Sequence, residues 1–234
     1  EHRVACPVLE GGMARGHIGQ MIRKIRAQSL LTQLIWTTLV LAIPLALAEG
    51  RWSLGFVALV SLILSMTPVL AARRFGISLP IHFVAAVVLF VFATIFLGEA
   101  LDFYNRFWWW DIALHGGSAV GFGLIGFLFM FMLFEGNRYA APAWAVAFMS
   151  FCFPVTLGCL WELFEFSMDQ TFGTNMQKSG LVDTMGDLFL DTLGASLGAF
   201  AGFLFLKGRQ LGGLTATLQE FVTRNRRFFR KRRR

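Results

Sequence analysis

Six apolar runs, each long enough to cross a bilayer, constrain this chain more than any other feature. They lie at about residues 30–48, 52–71, 79–98, 108–134, 142–167 and 181–206. A membrane helix needs about 20 apolar residues, and only a helix satisfies the backbone of an isolated segment in lipid. Charged residues make up 15% of the chain, against about 25% in soluble domains. We therefore predict an all-α, polytopic membrane bundle of about six transmembrane helices.

The positive charges indicate how the bundle is oriented. If the six runs alternate through the membrane, all but three of the 21 lysines and arginines fall on one side; the exceptions are Arg51, Arg106 and Lys178. Basic loops stay in the cytoplasm, so both termini are predicted to be cytoplasmic. The prediction divides the chain into a basic N-terminal arm (1–29), a six-helix transmembrane domain (30–206) and a basic cytoplasmic tail (207–234).

Two further expectations concern the ends of the chain. Residues 1–12 precede Met13 and its basic, start-like stretch, so we treat them as a segment that the native protein need not contain. The arginine-rich tail is expected to contact anionic lipid head groups, and no nucleic acid is expected as a partner. Membrane lipids are thus the predicted partners, while a membrane-protein partner or a homo-oligomer stays open.

Three aspartates interrupt the sixth apolar run. Asp183, Asp187 and Asp191 lie four residues apart, and a step of four residues turns a helix by about 400°, so the three carboxylates share one face. An ionised aspartate at the centre of a membrane helix costs roughly 2.5–3.5 kcal/mol. Acids in such positions usually serve a function and face a protein interior or a water-filled cavity.

The predicted topology brings more polar residues into the same layer. Asp111 and His115 begin the fourth run, and Glu162 and Glu165 lie near the end of the fifth, on the predicted outer side. Glycines at four-residue spacing let membrane helices approach closely. The sixth run carries such a series and the fourth is also rich in glycine, which predicts that these two helices are neighbours; the series is Gly186, Gly194, Gly198 and Gly202.

Carboxylates with an imidazole are typical ligands of divalent cations. We expect a site for Mg²⁺, Mn²⁺, Ca²⁺ or Zn²⁺. The predicted metal ligands are Asp183, Asp187, Asp191 and Glu165. The predicted catalytic residues are His115, Asp111 and Glu162, with Glu162 also a candidate ligand. The predicted substrate-binding residues are Trp110, Asn175, Gln177 and Lys178, which flank or overlie the cluster.

Three functions fit these residues. The first is metal-assisted hydrolysis or group transfer on a lipid or lipid-linked envelope substrate. The second is a non-catalytic subunit or scaffold of a membrane complex. The third is proton or cation transport, which requires a continuous polar path. Below Asp191 the sixth run offers only Thr192 and Ser196, so transport is the least favoured of the three.

Three stretches carry a resemblance to a known family. They are FYNRFWWWDIALHGGSA (103–119), LWELFEFSMDQTFGTNMQ (160–177) and LVDTMGDLFLDTLGA (181–195). They resemble a bacterial inner-membrane family of unknown function typified by the YjdF proteins and, more distantly, the VanZ-like proteins. The resemblance implies a compact, multi-pass bundle in the bacterial cytoplasmic (inner) membrane and names no reaction. It implies polar site residues at Asp111, His115, Glu162, Asp183, Asp187 and Asp191.

Overall fold

A computed structural model describes residues 28–134 and 141–229, and these residues form helices without any strand. Six helices are long and apolar enough to cross a membrane, which confirms the predicted all-α, six-helix architecture. They are α1 (Leu30–Ala48), α2 (Trp52–Phe75), α3 (Ile81–Val91) with a π-helical continuation (Phe92–Ala100), α5 (Trp110–Phe134), α6 (Ala143–Phe172) and α7 (Leu181–Leu206). The shorter helices are α4 (Phe103–Arg106), α8 (Gly212–Arg224) and α9 (Arg226–Phe229).

Parts of the predicted domain scheme lie outside the described residues. These parts are residues 1–27 of the basic arm, the loop around Arg138 and residues 230–234 of the tail. The division into arm, membrane domain and tail therefore stays a prediction.

The six long helices form two halves, each with its own apolar core. Helices α1, α2 and α3 pack around Leu39 and Val88, whereas α5, α6, α7 and α8 pack around Phe127 and Leu218. Large apolar side chains such as Phe189 remain exposed along the outer faces of the long helices, where they contact lipid in a membrane protein. The Asp, Glu and His residues of the predicted cluster all belong to the second half.

Glycines bring α5 and α7 into close contact. A methyl group built on Gly198 would lie 2.9 Å from the Cα atom of Gly123, so neither position has room for a side chain. Gly194 and Gly202 likewise pack against α5. The expectation for the first glycine of this series was wrong: Gly186 is exposed, and a Cβ atom there would meet open space. The close contact between α5 and α7 therefore lies nearer the C-terminal end of α7 than the acidic residues do.

The C-terminal helices identify which loops share a side of the membrane. The Asn225 side chain donates to the Ser78 carbonyl and accepts from the Ser78 amide, both at 2.7 Å. Phe229 stacks on Phe131, near the end of α5, with 5.3 Å between ring centroids. The tail thus lies with the α2–α3 loop, at the end of the bundle opposite Asp183 and Lys178. That this basic end faces the cytoplasm stays a prediction.

Candidate metal centre

Helices α5, α6 and α7 each contribute one residue to a compact inner group. One ligand atom each from His115, Glu162 and Asp187 lies within 4.8 Å of the other two. Glu162 is 4% exposed and Asp187 6% exposed. A histidine nitrogen and two carboxylate oxygens at this spacing are a donor set that suits Mn²⁺, Zn²⁺ or Mg²⁺.

Glu162 is the member of the inner group that points most directly to a ligand. Within the described ranges, neither of its buried carboxylate oxygens makes a well-formed hydrogen bond, although the Thr184 side chain lies nearby. A buried carboxylate without a partner is strongly unfavourable, and buried charges are normally paired or coordinate a metal. The inner group therefore has the ligands and the unsatisfied charge that a bound cation would complete.

A second, outer group shares Asp187 with the first. Asp111, Asp183 and Asp187 each place a carboxylate oxygen within 4.8 Å of the other two. Here a cation is already present, because Lys178 donates from Nζ to Asp111 Oδ2 at 2.6 Å. The Lys178 ammonium also lies 4.7 Å from the centroid of the Tyr104 ring. Burial raises the pKa of the Tyr104 hydroxyl above its ordinary value, so this residue stays neutral.

His115 lies between two carboxylates. Its Nδ1 is 3.4 Å from Asp191 Oδ1, and its Nε2 is 3.8 Å from Asp111 Oδ1. Carboxylates on both sides of the ring favour one orientation of the imidazole, as metal-bound and catalytic histidines require. Asp191, predicted as a metal ligand, lies outside both three-residue groups and contacts His115 instead.

Glu165 also lies outside both groups, although it is buried. Its Oε1 accepts a hydrogen bond from Trp161 Nε1 at 2.9 Å. The indole thereby satisfies a carboxylate that sequence reasoning had assigned to the metal. The role of Glu165 as a metal ligand stays a prediction.

The predicted substrate-binding residues occupy four different environments. Lys178 lies at the centre, whereas Gln177 donates from Nε2 to Thr184 Oγ1 at 2.6 Å and so ties the α6–α7 loop to α7. Asn175 is exposed in that loop. Trp110 donates from Nε1 to the Ala93 carbonyl at 3.3 Å, which joins α5 to the π-helical segment. Substrate contact by these four residues stays a prediction.

The centre lies inside a stretch that a known family shares. A family model described as "Predicted membrane protein (DUF2238)" matches residues 27–208. The chain belongs to the DUF2238 family. This confirms the predicted membership of a membrane-protein family of unknown function, while the distant likeness to VanZ-like proteins stays a prediction.

A relative of this DUF2238 protein is known from Thermotoga maritima, where it is described as an uncharacterized protein. The two chains are 34% identical over 104 residues, which is 44% of this chain and 53% of the relative. The match thus spans about half the length of the relative. No solved structure matches the chain.

Three residues near the centre of this DUF2238 protein escaped sequence reasoning. Tyr104 reads as part of an aromatic stretch, yet its ring lies under the Lys178 ammonium. Trp161 reads as an interfacial aromatic; its spacing of four residues from Glu165 was the available signal, because such pairs share a helix face. Gly158 gave no signal at all, although the Asp191 carboxylate occupies the space that a Cβ atom there would need.

Proposed function

We propose that this protein is a divalent-metal-dependent hydrolase or transferase that acts on lipid or lipid-linked substrates. The observation that carries the proposal is the buried Glu162 carboxylate, which has no hydrogen-bond partner among the described residues and lies beside His115 and Asp187. Purely structural acid networks normally satisfy each member with hydrogen bonds. An unsatisfied carboxylate next to an imidazole and a second carboxylate favours a bound cation.

The residues around the inner group would divide the chemistry among them. A bound divalent ion would polarise a phosphoryl or carbonyl oxygen of the substrate and lower the pKa of a bound water. His115 would bind the ion through one ring nitrogen, while a carboxylate at its other nitrogen orients the ring. Lys178, which is 30% exposed, would form the polar edge of the site where a substrate head group enters.

The surroundings of the centre support a lipid substrate. It lies near the end of α5–α7 where the α6–α7 loop and the aromatic α4–α5 segment emerge. Large apolar side chains at this end, among them Trp108, Phe164 and Met185, are exposed. Aromatic side chains are enriched at membrane interfaces, where one end of the residue contacts lipid and the other contacts water. A substrate with an apolar tail and a polar head would therefore find apolar contacts for its tail and polar contacts for its head here.

Transport is less well supported than catalysis. Thr192 and Ser196, the only polar residues of α7 below Asp191, are exposed and donate to carbonyls of their own helix. Below the centre, the interior contains the tight Gly123–Gly198 contact and the fully buried Phe127. In the part of the chain that the structure describes, this packing disfavours a polar route toward the basic end. A path for protons or cations would need polar groups throughout.

Metal content and turnover test the proposal together. We would measure bound metal in the detergent-purified protein and its Glu162→Gln variant, and assay both against lipid phosphates and lipid-linked envelope substrates. Metal and metal-dependent turnover in the parent, both lost in the variant, are the expected results. Glu220→Gln is the matched control, because Glu220 pairs with Arg224 at the opposite end of the molecule.

Two outcomes would count against the proposal. A parent that binds no divalent metal would contradict the metal centre. A parent that binds metal but converts no substrate in the panel would favour the non-catalytic alternative, in which the ion stabilises a subunit of a membrane complex.

A further inference from the structure

The two acid groups of the metal centre differ in one respect: among the described residues, only the outer group pairs with a lysine or arginine. We propose that the ammonium group of Lys178 is a built-in cation of the outer group, so that the centre binds one divalent ion, in the inner group, rather than two. This inference rests on the metal centre of the proposed function. It adds the number of ions and the residue that determines this number.

The arrangement of ligands would otherwise suit two ions. The inner and outer groups each offer three ligand atoms within 4.8 Å, and they share Asp187. A carboxylate shared by two sets of acidic ligands is what enzymes with paired metal ions use. The ligands alone therefore do not determine whether the centre binds one ion or two, and another feature of the site must do so.

The position of Lys178 supplies that distinction. Its Nζ lies 2.6 Å from Asp111 Oδ2, so it already pairs with one carboxylate of the outer group. A positive charge at that distance also repels a second divalent cation in a partly buried site. The inner group has no such occupant, because both oxygens of Glu162 lack a partner within the described ranges.

The contacts of Lys178 hold it in this position. Its ammonium lies over the Tyr104 ring, and that ring packs against Gly98 of the π-helical segment so closely that a Cβ atom there would overlap it. The loop that carries Lys178 is also fixed: Asp169 accepts hydrogen bonds from the amides of Met176 and Gln177 at 2.8 and 3.0 Å. Lys178 is thus held by its side chain and by its backbone.

Manganese binding to the purified protein in detergent tests the inference. We would titrate the metal-free protein with Mn²⁺ and record both the stoichiometry and the electron paramagnetic resonance spectrum, since two adjacent Mn²⁺ ions give a spin-coupled signal. The parent should bind one ion with an uncoupled signal. Lys178→Met, which keeps the length but not the charge, should bind two coupled ions, a twofold rise in stoichiometry.

Two matched variants complete the experiment. Lys178→Arg keeps the positive charge and should still bind one ion. Lys207→Met removes a lysine that also lies over a phenylalanine ring, 5.7 Å from its centroid, but at the other end of α7. It should bind one ion as the parent does.

Each remaining outcome has a defined meaning. A parent without bound Mn²⁺ would overturn the metal centre itself and, with it, this inference. Two ions in the parent, or one ion in folded Lys178→Met, would overturn the inference and leave the proposed function intact. If Lys178→Met does not fold, Lys178→Gln replaces it: loss of the charge should admit a second ion, and an unchanged stoichiometry of one would overturn the inference.

Discussion

The Asp191 carboxylate of α7 occupies the space in which a side chain of Gly158 on α6 would lie. The same carboxylate reaches across to α5, where its Oδ1 is 3.4 Å from His115 Nδ1. The absence of a side chain at position 158 therefore lets one aspartate connect all three helices of the candidate centre.

A methyl group at this glycine should disturb the centre. We predict that Gly158→Ala displaces Asp191 and destabilises the protein by about 1–3 kcal/mol, the usual result of overpacking an interior. Thermal unfolding in detergent measures the change. Gly186→Ala is the matched control, because a Cβ atom at Gly186 would meet open space; its melting temperature should stay close to that of the parent. Equal melting temperatures for all three proteins would contradict the close Gly158–Asp191 contact.

Replacement of Glu162 should abolish stabilisation by the metal without destabilising the metal-free protein. Glu162→Gln removes a buried charge that has no partner in the described part of the chain, so the metal-free variant should be at least as stable as the metal-free parent. The parent should gain about 2.7 kcal/mol when the metal is present at 100 times its Kd, and Glu162→Gln should lose that gain. Thermal unfolding with and without Mn²⁺ measures both effects.

Glu165 provides the comparison for that experiment. Its carboxylate accepts a hydrogen bond from Trp161, and the amide oxygen of Glu165→Gln can accept the same bond. This variant should therefore keep the stabilisation by Mn²⁺. If Glu162→Gln also keeps it, or if only Glu165→Gln loses it, the inner group has been assigned incorrectly.

The two-way hydrogen bond between Asn225 and Ser78 should fasten the tail to the membrane domain. Asn225 is 2% exposed, and its loss would leave the amide and carbonyl of Ser78 without their partner. Ser78 itself is exposed, so the cost is that of the lost hydrogen bonds, each worth about 0.5–1.5 kcal/mol. We predict that Asn225→Ala loosens α8, seen as faster hydrogen exchange there, whereas Gln219→Ala on the exposed side of α8 leaves the exchange unchanged. Equal exchange in both variants would contradict this role.

The fold followed from the sequence because its main determinant is local. A run of apolar residues must form a helix in lipid, so the six spans were predictable from hydropathy, and α1 and α7 begin and end where the apolar runs do. The π-helical register of Phe92–Ala100 was not predictable, since a π segment and an α segment have the same hydropathy. That register matters because it determines where Gly98 meets Tyr104.

The candidate site was predictable as a layer but not as a set of contacts. Alternating spans put Asp111, Glu162 and Asp187 at the same depth, and no knowledge of packing was needed for that. Whether two acids face each other depends on the rotation of each helix and on single small residues such as Gly158. Hence the sequence groups Glu165 and Asp191 with the metal ligands without revealing their contacts with Trp161 and His115; the ligand roles of both acids stay predictions.

The orientation of the bundle is open to a direct test. The structure puts Asn175 and Gln219 at opposite ends, and both are exposed; the basic residues predict that Gln219 faces the cytoplasm. In a background without Cys6, Cys152 and Cys159, a membrane-impermeant maleimide should label Asn175→Cys in intact cells and Gln219→Cys only after permeabilisation. The background protein, which should stay unlabelled and fold normally, is the control. The reverse pattern would put the metal centre on the cytoplasmic side and exclude substrates confined to the outer leaflet.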